Sequence, residues 1–562
     1  MLHSLVVWAA PILPYLAITA AVWATYFYSL KTGFVSDDID GITGYDGKLQ
    51  GLEYGMISRW VRYHLCGGNF PSKHIFTRFD GTKGDPIPQG KIPTWHHALS
   101  ICTFNIACML LYAFLAAQFN CKLALLTVIL FVVHPIVTQS VAWCSGLGYP
   151  LSLTWAMAAL NLVSFVMKHP TPENLIAGTL LFAFFQFMAI HAQFATMMLW
   201  TILLFFGWWQ FAILGFIISF AMGFDIIRHT IKIRVDEFKR QNMGKSSALN
   251  FRKIVVAFKS VLYYMKHTLV PSKMGLYHTW GFHYSKDVER RDGHFVLSLI
   301  AVLGLIGIFF LTPAVPVKLA ILWFLAFSVI FWNWITIQQF VTERYIFIPT
   351  IGTCLLLGYL LQDYLVVYAF VAGLYLCRTW LFLPTYDNEL RFYLSNTWHF
   401  PDSEVAYGNL GVTYLRLGQL GAALDAWHQA IRINPEYDVP YYNIFSHHKA
   451  NADMLIQNGD YLGGINTYRL AYPYLEKTLA CKICHFPEAW KKEHDDLKSL
   501  LQNPSAMLHR EKERLKKLSS DLVERLKSVK LDEDVRPIQV SIDNASTQLS
   551  NLERFMAANG IQ

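Results

Sequence analysis

The chain has 562 residues, 54% of them hydrophobic and only 15% charged, which is more apolar surface than one water-soluble core can bury. Its formal net charge of +8 is modest for that length and dispersed, with no basic run interleaved with aromatics of the kind that reads nucleic acid. The composition excludes a nucleic-acid-binding protein and points to an integral membrane protein.

The first apolar run, Leu5 to Leu30, is longer than the core of a signal peptide and reads as a spanning helix. It runs into Gly33-Phe-Val-Ser-Asp37-Asp38-Ile-Asp40-Gly41, where three carboxylates crowd together at a membrane surface. Like charges so placed raise one another's pKa, which suits a general base; the plainer reading is an N-cap and turn cluster. The polar loop that follows, residues 31–97, is too long for a connector, and long ordered loops usually carry function.

Apolar runs then follow at Ala98–Ala117, Leu123–Val133, Pro150–Val166, Leu175–Ala189, Thr196–Trp208 and Phe211–Phe224. They resume at Phe295–Leu311, Val317–Trp332, Ile346–Leu361 and Leu365–Leu383. The total is about eleven spans, several of them short. Between the two groups, residues 225–294 break the hydropathy, and Phe251–Leu269 has the spacing of an amphipathic helix lying at an interface. From a cytoplasmic N-terminus, an odd number of spans puts the first loop, this segment, Thr342–Tyr345 and the C-terminal third on the non-cytoplasmic face. The expected fold is mostly α: a polytopic transmembrane domain, 1–383, then a helical repeat domain, 384–489, and a charged helical tail, 490–562.

Two further stretches carry chemistry. In Phe131-Val-Val-His134-Pro135, proline ends or kinks a helix and the adjacent histidine either bonds locally or meets an anion. In Thr342-Glu343-Arg344-Tyr345, an arginine at the mouth of a span can clamp a phosphate bidentately or snorkel to lipid headgroups, with Tyr345 in the aromatic belt. Past Pro384, Tyr407, Leu410, Gly411, Tyr414, Ala423, Trp427, Ala430 and Pro435 fit the signature of a tetratricopeptide repeat. A degenerate second copy follows at Gly459–Gly464 with Tyr468 and Ala471, separated by an insertion. So few repeats cannot bury their own faces, so the module must pack on its tail, the membrane domain or a partner.

In their order, Phe34-Val35-Ser36-Asp37-Asp38, His134-Pro135-Ile136 with Val141-Ala-Trp143 and Gly146, Tyr263-Tyr264 with Pro271 and Tyr277, Glu343-Arg344-Tyr345 with Pro349 and Gly352, and then the repeat, resemble a known family. It is the transmembrane and tetratricopeptide-repeat-containing O-mannosyltransferases, which are GT-C glycosyltransferases. The resemblance implies transfer of a mannose-like sugar from a polyprenyl-phosphate donor to a protein hydroxyl on the non-cytoplasmic face. Asp38 or Asp37 would then deprotonate the acceptor, and Arg344 with His134 would hold the donor phosphate. Asp40, Glu343 and Tyr345 would support them, and the acceptor protein would dock on the repeats. The chain departs from the family at Gln139, where an acid is usual, and at Leu147, where an arginine is usual. No metal ligands are assigned.

Ala480-Cys481-Lys-Ile-Cys484-His485 fits no transferase. A CxxCH sequence attaches c-type haem, with His485 as an axial ligand; two free thiols or a local disulfide are the other readings. The alternative function is accordingly a catalytically inactive subunit of a larger membrane assembly, scaffolding it or carrying a covalent haem for electron transfer.

Overall fold

A computed structural model describes residues 12–36, 38, 56–66, 93–240, 251–276, 278, 292–332, 341–481, 487–528, 536–558 and 561. Among them there are helices and turns and no strand. The chain divides into two compact units, one of residues 1–75, 86–235 and 246–406, the other of 76–85, 236–245 and 407–562.

The first unit begins with α1 (Leu13–Tyr26), α2 (Met56–Cys66), α3 (Thr94–Gln118) and α4 (Cys121–Val133). The Asn120 side chain caps α4 by accepting from Leu123 N at 2.8 Å, relieving one of the orphan donors of a helix start. At the other end Pro135 cannot continue the helix. The chain turns by 57° into the short α5 (Thr138–Ala142), and α6 (Gly148–Lys168) and α7 (Pro172–Ala192) follow as a hairpin.

After α8 (Leu199–Phe205) and α9 (Trp209–Arg240) come α10 (Phe251–Leu269), α11 (Gly293–Leu311), α12 (Val315–Ser328), α13 (Pro349–Leu361), α14 (Leu365–Phe382) and α15 (Glu389–His399). The core lies where α3, α4, α12 and α13 meet. Phe104, Phe131 and Phe347 are fully buried there, with ring centroids 5.3 to 6.1 Å apart, the offset contact range that aromatic rings favour.

Several apolar helices are long enough to cross a membrane. Five qualify among the described residues: residues 94–118, 144–168, 172–192, 293–311 and 365–386, and the bent α4–α5 pair is a sixth if it counts as one span. Of the roughly eleven expected spans, these are the ones the described residues show, and the first expected run, Leu5–Leu30, is described only from Ile12 onward. The apolar stretches Phe194–Phe205, Val315–Phe331 and Pro349–Leu361 are each 10–17 residues, and at 1.5 Å per residue they fall short of the roughly 30 Å that a lone helix must cross; Trp209–Phe224 is the apolar part of the 32-residue α9. The faces of α11 and α14 remain open, with Phe310 73%, Leu311 86% and Val366 86% exposed, larger apolar surfaces than water tolerates.

One face of the amphipathic α10 is buried against the rest of the unit. Val255, Ala257, Val261, Tyr263, Tyr264, His267 and Thr268 are buried, and Lys259 is tied to Asp292 at 2.8 Å. The apolar stripe of α10 therefore packs into the protein, as a strut.

The second unit takes up α16 (Glu404–Arg416) from Tyr407 onward, then α17 (Leu420–Ile433), α18 (Asp438–Gln457), α19 (Tyr461–Ala480), α20 (Pro487–Gln502), α21 (Pro504–Ser528) and α22 (Arg536–Ala558). The Trp427 indole donates to Gly408 O at 3.1 Å, and a Cβ on Gly411 would collide with that indole, which is why the repeat needs a small residue there. The degenerate copy forms a second hairpin, α18 with α19, whose Phe445, Ala452, Tyr468, Ala471 and Leu475 share a core with Trp490 and Leu497 of α20. The tail then folds back as the α21–α22 hairpin, covering Tyr461 with Leu508, Leu515, Leu552 and Met556. Short repeat arrays need such a cap.

Candidate functional site

Asp38 is fully buried. Ser36, two residues before it, sits at φ 52°, a strained conformation for a side-chain-bearing residue and one that recurs at functional positions. The carboxylate accepts from Ser145 N at 2.5 Å, from Ser145 Oγ at 2.7 Å and from Val35 N at 3.2 Å. Burial raises its pKa to about 6, against the opposing pull of Ser145 and of the nearby Arg62 charge. Ser145 is held in place by Gly146, where a Cβ would meet the Ser140 and Gln139 carbonyl oxygens at 2.8 and 2.9 Å. Asp37 and Asp40 lie outside the described residues.

Trp143 joins this acid to the arginine. Its indole donates to Val35 O at 3.0 Å, and the Arg344 guanidinium lies 5.2 Å from its ring centroid and 5.7 Å from that of Tyr345, within cation–π range. Gln139 Oε1 accepts from Thr342 Oγ1 at 2.9 Å and from Arg344 N at 2.7 Å. The position where relatives of the resembled family carry an acid thus fixes the backbone of the Glu343–Arg344 turn, which an amide does without charge. The buried Tyr386 lies within electrostatic reach of Asp38, Glu343 and Arg344 together.

His134 has other work. It is fully buried; Nδ1 accepts from Ile136 N at 3.3 Å and Nε2 donates to Thr268 O at 2.8 Å. One nitrogen caps the turn after α4 and the other clasps α10, so neither is left for a phosphate.

Glu343 faces away from Arg344 into a different cluster. Its Oε1 accepts from Gly275 N at 2.7 Å and lies 2.9 Å from His278 Nε2 and 3.6 Å from His267 Nε2. All three side chains are buried, and one ligand atom from each lies within 4.8 Å of the other two. Tyr263 stacks on His267 with centroids 5.5 Å apart, and its hydroxyl bonds His278 Nδ1. Burial alone would raise Glu343, but the two facing imidazoles carry its carboxyl well below the ordinary range. Burial lowers His267, against the opposing pull of the Glu343 carboxylate. These three residues could hold a cation.

On the Asp38 side, sequence reasoning missed Arg62, His97 and Ser145. Arg62 is buried with Nη2 3.5 Å from Ser100 Oγ, and His97 Nε2 lies 3.2 Å from Thr32 Oγ1. It missed His267 and His278 as well, since hydropathy marks only the apolar residues of α10 and His267 is a polar residue on its buried face. The one available signal was the density of histidine and tyrosine between Tyr263 and His278.

Cys481 is buried at the end of α19, its Sγ 3.2 Å from Lys477 O. Cys484 and His485 lie outside the described residues.

A tetratricopeptide repeat family profile matches residues 405–437, the stretch that forms α16, α17 and the turn after them. No curated protein and no solved structure matches the chain.

Proposed function

We propose that the protein is a membrane glycosyltransferase that moves a mannose-like sugar from a polyprenyl-phosphate donor to a protein hydroxyl, on the non-cytoplasmic face. The observation that carries the reading is Trp143, which ties the loop of Asp38 to the guanidinium of Arg344. The acceptor oxygen attacks the anomeric carbon, its proton passes to Asp38, and the bond from that carbon to the phosphate oxygen breaks. Polyprenyl phosphate leaves with the electron pair, and Arg344 neutralises the charge that develops on it. A carboxyl raised to about 6 is a better base near neutrality than an ordinary aspartate. Tetratricopeptide repeats commonly mediate protein interactions, and the repeat at residues 405–437 would receive the acceptor protein.

The test is sugar transfer in proteoliposomes from a labelled polyprenyl-phosphate mannose to acceptor peptides, comparing the intact chain with Asp38→Asn and Arg344→Ala. Loss in both variants, with insertion unchanged, supports the reading; transfer at the original rate in Asp38→Asn removes Asp38 as the base.

A second reading rests on the three donors that saturate Asp38, since a carboxylate so enclosed also serves as a structural buckle. Under it the protein is an inactive subunit of a membrane assembly. Stoichiometric co-purification with other subunits in mild detergent, without transfer activity, would favour this reading.

A further inference from the structure

We infer that His267, His278 and Glu343 form a binding site for a divalent transition-metal ion of the zinc type. Three chemical facts converge. Two imidazoles and a carboxylate are the donor set of three-ligand zinc centres, which leave a fourth position for water or an exogenous oxygen. His267 Nε2, His278 Nε2 and Glu343 Oε2 are buried polar atoms without a hydrogen-bond partner; the two nitrogens approach the carboxylate without the direction of a hydrogen bond. Such atoms are costly inside a protein unless something satisfies them.

The spacing fits as well. Ligand atoms on a tetrahedral zinc at bonds of about 2.0–2.1 Å stand about 3.3 Å apart, and the two imidazole-to-carboxylate distances, 2.9 and 3.6 Å, bracket that value. Neighbouring groups already orient the donors. Tyr263 hydroxyl bonds His278 Nδ1, and Gly275 N–H holds Glu343 Oε1, the outer partners that ligating side chains ordinarily have. With Nδ1–H donating to the Tyr263 oxygen, His278 would present the Nε2 lone pair to the ion. Phe400, 4.5 Å from the His278 ring centroid, shields the cluster.

The inference does not depend on sugar transfer, because it is read by metal content. Full-length protein in detergent, stripped with a chelator and re-equilibrated with Zn²⁺ alone, is expected to retain one equivalent after gel filtration. Cobalt in its place should give visible ligand-field bands. Glu343→Gln and His278→Ala should each lose that equivalent, while Cys481→Ser should keep it, which separates the site from the thiols. Tyr263→Phe, which preserves shape, should weaken zinc about 10- to 100-fold and so tests the site without relying on variants that fail to fold. A monodisperse intact protein that takes up no zinc, or an equivalent that survives in Glu343→Gln and His278→Ala alike, overturns the inference.

Discussion

A carboxyl that has left water altogether must be judged by what its proton costs. Asp38, raised to about 6 by burial, binds its proton more tightly in the folded chain than an unfolded aspartate does, at about 3.9. The sign follows: the stabilisation from protonated Asp38 is fully present below about pH 4 and is lost as pH rises through about 6, a change of about 3 kcal/mol. Thermal denaturation in detergent should therefore fall across that window in the intact chain, and Asp38→Asn should flatten the slope. Transfer activity should run the opposite way, rising with pH to a plateau above about 6, because only the ionised form accepts a proton. Loss of the base should cost about 10²- to 10⁴-fold in rate. Asp38 was legible in the sequence because its neighbours are acidic and its loop follows an apolar run. Its two donors from Ser145 were not, since Ser145 is 107 residues away and local pattern does not pair it with the acid, whereas Val35 N is a neighbour in the same loop. His134 was legible as a histidine beside a helix-ending proline, yet its second bond reaches a carbonyl on α10, which no local pattern specifies.

Elements here are held by single polar anchors as much as by apolar contact. Gln139 brackets the Glu343–Arg344 turn through two bonds to one oxygen, so Gln139→Leu should leave the helices in place and loosen Arg344. The expected result is a higher KM for the lipid donor with a smaller change in kcat, measured by titrating the donor in proteoliposomes. Gly146→Ala should be harsher, because two backbone carbonyls stand where the methyl would go. Overpacking of that kind costs about 1–3 kcal/mol, visible as a lowered Tm in detergent. In the second unit, Trp427→Ala empties the space between α16 and α17, and about 3–5 kcal/mol of stability should go with it, measurable as protease sensitivity of the repeat while the membrane helices stay protected. The repeat was legible because its signature is local and periodic. The length of the spans was less so: hydropathy locates an apolar run, but prolines and tertiary packing decide where its helix stops.

At the scale of the whole molecule, each unit closes its own core by its own means. The first leaves apolar faces outward on α11 and α14, and membrane-embedded behaviour should follow, with the protein resisting alkaline carbonate extraction. The second buries its repeats beneath the α21–α22 hairpin, so truncation of the full chain after Gln502 should uncover Tyr461 and make the repeat unit labile to protease without releasing the protein from the membrane. The sequence left three covers open for the repeats, namely tail, membrane domain or partner, because an amphipathic face shows that something must cover it and not what does. The described tail fills that role through Leu508, Leu515, Leu552 and Met556.

The turn of Glu343–Ile346 places neighbouring residues in separate clusters: Glu343 among the imidazoles, Arg344 over the Trp143 indole. In the language of heredity the two clusters are tightly linked, since one short coding stretch specifies a key residue of each. A substitution can alter one and spare the other. An in-frame insertion or deletion there rotates both residues at once, so descendants of this sequence are expected to keep the number of letters across residues 342–346 fixed.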